Sequence, residues 1–245
     1  LKRGHGLTPT RVVHLMIDCL DALGEGHRQG IVHKDLKPAN LYITDPGTRR
    51  ERLKILDFGI ARLQDGRASL TSTGQLMGTP KYYAPEYIKN QTVSPALDVY
   101  QMGLILVEMF MKRPVVDMDD PYLCLMKHSM GDLGIPQSLL EGPLGPVLTH
   151  ALALDPGKRF PDAHVFRDAL EEVNAAGIAP VAQDEPRQSL NEISGNHMSS
   201  LVAPHGQHHT GPTQLHHTGS TAKPSFDMGT RIEIEAPKGT TDSGK

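Results

Sequence analysis

The sequence lacks the features that would place it within a membrane or on nucleic acid. In 245 residues, no apolar run reaches the roughly 18 residues that a membrane-spanning helix needs. The best candidate, 104–111, is short and contains Glu108. The formal net charge is only −3, and acidic and basic residues are interspersed, whereas nucleic-acid binding needs a strongly basic face. We therefore predict a chain with no membrane segment and no nucleic-acid partner.

Cysteine is also scarce. The chain has two cysteines, Cys19 and Cys124, and both lie in apolar, helix-like surroundings. Two core thiols fit a reducing compartment, because disulfide scaffolds belong to oxidising ones. We predict a cytoplasmic location, and we expect any membrane anchor of the full-length protein to lie outside this chain.

The first segment has the pattern of an amphipathic helix. Thr8 is a favourable N-cap, and Pro9 suits the first helical position. Apolar residues then recur at helical spacing and form one stripe: Val12, Val13, Met16, Ile17, Leu20 and Leu23. Gly24, Gly26 and Gly30 predict that the helix weakens and ends there.

The remainder of residues 1–177 alternates short apolar runs with helical patterns. Three short β-rich runs bounded by turn residues predict strands at 30–32, 41–43 and 53–56. Longer apolar patterns predict helices at about 98–111, 121–130, 143–154 and 162–174. We therefore predict an α+β domain over 1–177 that is mainly helical.

The composition changes at about residue 177. The last 68 residues contain one aromatic, Phe226, and are rich in His, Ser, Thr, Gly, Pro and Gln. Such a segment buries too little apolar surface to offset the entropy lost on ordering. We predict that residues 178–245 form a disordered tail or linker.

Three polar motifs lie at the ends of the predicted strands. They are HKDLKPAN at 33–40, DFG at 57–59 and APE at 84–86. A lone DFG is usually just a turn, but here it follows 22 residues after Asp35 and directly after the predicted strand 53–56. Agreement of all three motifs in this order is far less probable by chance than any one of them alone.

These motifs resemble the catalytic loop, the metal-binding triplet and the end of the activation segment of a protein kinase. Residues 78–86, which read GTPKYYAPE, resemble the peptide-positioning loop of serine/threonine kinases, and 98–103 resembles the start of their central buried helix. The resemblance covers about residues 1–175 and is closest in character to bacterial kinases. It implies a protein-kinase-like fold, of which this chain is the mainly helical large lobe.

The resemblance implies catalytic roles for three residues. Phosphoryl transfer needs an aligned hydroxyl and positive charge where negative charge accumulates. Asp35 is expected to accept the proton of the substrate hydroxyl or to orient that hydroxyl, and Lys37 to reach the transferred phosphate. Thr79 is expected to bond to both. Lys37 also favours serine or threonine over tyrosine as the acceptor, so the expected partners are protein substrates.

The implied cofactors are ATP and Mg²⁺. Magnesium prefers hard oxygen donors, and Asn40 offers a neutral oxygen and Asp57 a charged one. Tyr42 lies where the family places the residue under the adenine ring, so we include it with Lys37 in the nucleotide site. The resemblance further implies that Asp98 holds the backbone of the catalytic loop and that Arg159 pairs with Glu86.

The parts of a kinase that grip ATP from the other side are not found in this sequence. Only 32 residues precede His33, and they contain neither the glycine-rich loop nor the phosphate-gripping lysine and its glutamate partner. We expect a chain truncated before its small lobe, inactive or nearly so alone, with any dimer contact through that lobe.

Two other readings remain. A pseudokinase or docking scaffold would bind partners without phosphoryl transfer, although such a protein has no need to keep Asp35, Lys37, Asn40 and Asp57. A phosphotransferase acting on small molecules fits poorly with the peptide-positioning segment.

Overall fold

The computed structural model of the chain describes residues 7–56 and 80–190. Within these ranges the chain is mainly helical, as predicted, with a few short strands. The helices are α1 Pro9–Arg28, α2 Pro85–Asn90, α3 Pro95–Met111, α4 Pro121–Met130, α5 Gln137–Glu141, α6 Gly145–Ala151 and α7 Ala163–Glu171. The strands are β1 Leu41–Thr44, β2 Arg52–Ile55, β3 Ile135–Pro136 and β4 Arg187–Gln188. Short 3-10 helices occupy Pro38–Asn40, Pro80–Tyr82, Pro156–Lys158 and Ala175–Gly177.

Helix α1 begins where the sequence predicts and ends just before the last of the three predicted glycines. The Thr8 hydroxyl accepts a hydrogen bond from the Arg11 backbone N–H, which caps the helix. The helix then continues through Gly24 and Gly26 to Arg28, so the expectation was wrong for these two glycines. It was correct for Gly30, which has a φ of 75° and lies directly after the C-cap residue Gln29. A Cβ on Gly24 would lie 2.6 Å from the His164 ring of α7. Gly24 therefore serves the close packing of α1 against α7.

Two of the three predicted short strands are confirmed. Strands β1 and β2 pair antiparallel, from Leu41 opposite Ile55 to Thr44 opposite Arg52. The third prediction, a strand at 30–32, is wrong. The backbone there leads from the left-handed Gly30 into the loop that follows, where the next N–H groups bond to the side chain of Asp98 and not to a neighbouring strand.

Helix α3 forms the centre of the core. It is buried along nearly its whole length, from Ala96 to Met109, and it packs against α1, α6 and α7. The predicted range 98–111 starts three residues late, because Pro95 already occupies the first helical position. The predicted helix 121–130 is confirmed as α4, whereas 143–154 and 162–174 shorten to α6 and α7.

The two cysteines confirm the prediction of core thiols. Cys19 and Cys124 are both buried and form no disulfide. Burial raises the pKa of the Cys19 thiol to about 12, so it stays protonated and unreactive.

Residues 178–190 belong to the packed domain, although their composition predicted that they form part of the tail. Ile178 and Leu190 are buried, and β4 pairs with β3 in a two-stranded sheet. The Glu185 carboxylate accepts a hydrogen bond from the Ser138 N–H. A few well-placed apolar residues anchor this polar segment, and composition alone does not reveal them. Residues 191–245 lie outside the described residues, so a disordered tail there stays a prediction.

No helix in the two described ranges combines the length and the apolar character needed to cross a membrane.

The predicted pair of Arg159 and Glu86 is confirmed and is fully interior. The guanidinium donates two parallel hydrogen bonds to the carboxylate, at 2.9 and 2.8 Å. It also donates to the Ala96 carbonyl at 2.9 Å and lies over the Tyr100 ring, 4.6 Å from the ring centre. The pair therefore links the start of α2 to the segment before α7, and Ala96 and Tyr100 of α3 also contact the guanidinium.

We expect Arg159→Ala to lower the free energy of unfolding by about 3–5 kcal/mol, since it leaves the Glu86 carboxylate buried and unpaired. Arg167→Ala is the matched control, because that arginine pairs with Asp21 and Asp168 at the surface. Its loss should be much smaller. Urea unfolding followed by circular dichroism measures both, and equal losses would contradict the prediction.

Candidate active site

The loop at 33–40 is hydrogen-bonded to a buried carboxylate on α3. Asp98 is fully buried and accepts hydrogen bonds from the backbone N–H of His33 at 2.7 Å and of Lys34 at 2.8 Å. Its third bond is to His27 Nε2, at 3.0 Å. Lys34 has a φ of 70°, in the left-handed region that side chains other than glycine rarely adopt. The two bonds to Asp98 hold the backbone in this strained conformation immediately before Asp35.

His33 supports the same loop from the inside. The Asp35 N–H donates to His33 Nδ1 at 3.3 Å, so the ring proton lies on Nε2, which donates to the Leu56 carbonyl at 3.2 Å. Both ring nitrogens are thus engaged in holding backbone. His33 is therefore a core residue whose ring supports the backbone of this loop.

Three of the predicted site residues meet at the end of this loop. Lys37 Nζ lies 2.9 Å from Asp35 Oδ2, and about a quarter of each side chain is exposed. The Asn40 Nδ2 group donates to the Asp35 backbone carbonyl at 2.7 Å. Because that bond uses the amide nitrogen, the Asn40 oxygen is the atom left to bind a cation. A carboxylate, an ammonium and a neutral oxygen donor therefore share one partly open edge.

Of the remaining predicted site residues, the structure describes Tyr42 but not Asp57 or Thr79. Tyr42 lies on β1, two residues after Asn40, and is 59% exposed, so its ring is available to a ligand. Asp57 and Thr79 fall outside the described residues, and their positions beside Asp35 stay predictions.

Residues 80–82, which belong to the predicted peptide-positioning segment, are held by side chains of the core. Tyr82 Oη donates to Glu108 Oε2 at 2.6 Å, and burial raises the pKa of both groups. His128 Nε2 lies 3.0 Å from the Lys81 carbonyl. The Lys81 ammonium itself pairs with Asp117 at 2.5 Å, near the surface. Residues 80–82 are therefore fixed by side chains from both α3 and α4.

Gln101 connects this segment with the loop at 33–40, and no motif in the sequence indicated this role. Its amide oxygen accepts from the Leu36 N–H at 3.0 Å. Its amide nitrogen donates to the carbonyls of Lys34 at 3.3 Å and of Tyr82 at 3.1 Å. The available signal was a lone amide within an otherwise apolar helix, between Val99 and Val107.

His128 is a second residue that the motifs did not indicate. Its Nδ1 accepts from the Tyr100 hydroxyl at 2.9 Å, while Nε2 carries the proton and donates to the Lys81 carbonyl. Burial lowers the pKa of His128 to about 4, although the bond to Lys81 opposes this shift. The ring is therefore neutral at pH 7.

Comparison of the whole chain with known proteins gives matches to one family. Residues 1–141 match the protein kinase domain. The serine/threonine-protein kinase PknB of Mycobacterium tuberculosis is 30% identical over 210 residues, which cover 84% of this chain and 32% of that protein. PknB of Mycolicibacterium smegmatis is 34% identical and covers 75% of this chain and 30% of its own length. A probable serine/threonine-protein kinase of Streptomyces coelicolor is also 34% identical, over 70% of this chain and 25% of that protein.

The chain thus spans between a quarter and a third of the length of these relatives.

We expect His128→Gln to reduce the dependence of the free energy of unfolding on pH between pH 6.5 and 4. In the wild type, the unfolded histidine takes up a proton near pH 6.5, whereas the folded one does so only near 4. His128 should therefore cost roughly 3 kcal/mol of stability as the pH falls from 6.5 to 4. Urea midpoints across this range test it. The control His14→Gln replaces an exposed histidine and should keep the wild-type slope; an unchanged slope in His128→Gln would contradict the prediction.

Proposed function

This chain belongs to the protein kinase family, and we propose that it is the large-lobe part of a bacterial-type serine/threonine protein kinase. The reaction is transfer of the γ-phosphoryl group of ATP to serine or threonine hydroxyls of protein substrates. One observation carries the proposal: Lys37 Nζ lies 2.9 Å from Asp35 Oδ2, while Asn40 is bonded to the Asp35 backbone. The sequence thus contains Asp35, Lys37, Asn40 and Asp57, and the first three lie together in the structure.

Asp35 is the proposed catalytic base. The acceptor hydroxyl oxygen forms a bond to the γ-phosphorus as the bond from that phosphorus to the β-γ bridging oxygen breaks, and the hydroxyl proton passes to the Asp35 carboxylate. Asp35 suits this role because the backbone on both sides of it is fixed, by Asp98 before it and by Gln101 after it. A base that is held in place needs no rearrangement at the moment of transfer.

Lys37 supplies positive charge to the same point. Its ammonium lies beside Asp35 and can contact the transferred phosphate, where negative charge accumulates. Partial burial strengthens this attraction relative to bulk water. Thr79 is proposed to bond to Asp35 and Lys37 and so to connect them with the peptide-positioning segment.

Asn40 and Asp57 are the proposed magnesium ligands. The Asn40 oxygen is the kind of hard donor that this ion prefers, and its amide nitrogen is already used by the Asp35 carbonyl. When bound, the ion neutralises charge on the phosphate groups. Tyr42, exposed on β1, is proposed to lie under the adenine ring of ATP.

The proposal extends to the setting of the domain. We propose a cytoplasmic location, which the free, buried thiols of Cys19 and Cys124 and the need for ATP support. The 245 residues contain no glycine-rich loop before residue 33 and no lysine from the strand that grips the phosphates, so we propose that this chain is inactive or nearly so alone. Any dimer contact would form through the small lobe.

We expect Asp35→Asn to lower phosphate transfer to a protein substrate by about 10²–10⁴-fold in the full-length gene product, because the hydroxyl loses its proton acceptor. Radiolabelled ATP and a generic protein substrate provide the assay, and phosphoamino-acid analysis should find phosphoserine or phosphothreonine.

The matched control is Asp132→Asn, an exposed carboxylate beyond the end of α4, which should keep wild-type activity. A wild-type protein that neither binds ATP nor transfers phosphate would overturn the proposal in favour of the pseudokinase or docking scaffold.

A further inference from the structure

Gln101 is a polar side chain at a position where the fold favours an apolar one. It lies in the middle of α3 and is only 2% exposed, and its neighbours Tyr100 and Met102 are fully buried. A buried amide without partners destabilises a protein by several kcal/mol in an apolar medium. Gln101 avoids this penalty through three hydrogen bonds, all to backbone groups outside its own helix. The identity of its partners shows what those bonds hold together.

On one side, the Gln101 amide holds the catalytic loop at the residues that flank Asp35. The oxygen accepts from the Leu36 N–H at 3.0 Å, and the nitrogen donates to the Lys34 carbonyl at 3.3 Å. Asp35 itself is not touched. The amide therefore fixes the backbone from which the Asp35 carboxylate projects.

On the other side, the same amide nitrogen holds the segment at 80–86. It donates to the Tyr82 carbonyl at 3.1 Å. The preceding carbonyl, of Lys81, is held by His128, and the Tyr82 hydroxyl is held by Glu108. Those two side chains secure 80–82 against α4 and α3, whereas Gln101 also joins it to the catalytic loop.

We propose that Gln101 is a positioning residue that sets the distance between Asp35 and the peptide-positioning segment. This inference rests on the proposed function. A peptide hydroxyl can be phosphorylated only if the segment that seats the peptide delivers it to Asp35. Misplacement by about 1 Å at a distance from the chemistry can reduce a rate by about 10²-fold. Water is the other acceptor for the γ-phosphoryl group, and it reaches Asp35 without that segment.

Loss of Gln101 should therefore reduce transfer to peptide more than transfer to water. In the full-length gene product, we expect Gln101→Met to lower the ratio of peptide phosphorylation to ATP hydrolysis by about tenfold or more. Methionine keeps the length and the burial of the side chain but makes none of the three bonds. The loss should lie mainly in kcat/KM for the peptide, with the KM for ATP close to that of the wild type.

Two further variants separate positioning from general damage. Gln101→Asn keeps the amide but is one methylene shorter, so it cannot span both segments and should show the same change in ratio. Met102→Leu is the matched control, since it replaces the adjacent, fully buried residue of α3 with one of similar volume. It should leave the ratio of the two rates unchanged. Circular dichroism confirms that each variant is folded.

Each outcome decides between the alternatives. A fall in the ratio for both Gln101 variants but not for Met102→Leu supports the inference. Equal reduction of both rates, or no change in either, would overturn it and leave Gln101 with a structural role alone. A wild-type protein inactive towards both peptide and water would overturn the proposed function itself, and the inference with it.

Discussion

The arrangement of the site depends on the buried carboxylate of Asp98. A fully buried charge is tolerable only where hydrogen bonds satisfy it, and Asp98 accepts three. Two come from the backbone of the loop immediately before Asp35 and hold Lys34 at a positive φ. The third comes from His27, whose other ring nitrogen accepts from the Ala163 N–H at the start of α7. Asp98 and His27 together therefore connect the loop at 33–40 with α3, α1 and α7.

The polar residues of α3 explain how an apolar helix can organise a polar site. Asp98, Gln101 and Glu108 lie within about a quarter turn of one another around the helix axis, since each residue advances the helix by about 100°. Asp98 holds the start of the loop at 33–40, Gln101 holds both that loop and Tyr82, and Glu108 accepts from the Tyr82 hydroxyl. The remaining faces of α3 are free to form the core. The site is thus an extension of core packing.

The sequence predicted the parts of this structure that depend on local pattern. Capping at Thr8, the apolar stripe of α1 and the two short strands β1 and β2 follow from spacing and turn residues, and they were confirmed. The errors arose where distant residues decide. Gly24 permits close contact with His164 and does not end α1, and the run at 30–32 bonds to Asp98 in place of a strand partner.

The same distinction applies to the site. The motifs identified Asp35, Lys37 and Asn40, and the structure brings them together. Gln101 and His128 could not be identified in this way, because their partners lie 19 to 67 residues away along the chain. A polar residue that interrupts an apolar helix signals that a buried partner exists, but not which one. That choice depends on the tertiary fold, which brings α3 and α4 against residues 80–82, and only the assembled structure supplies it.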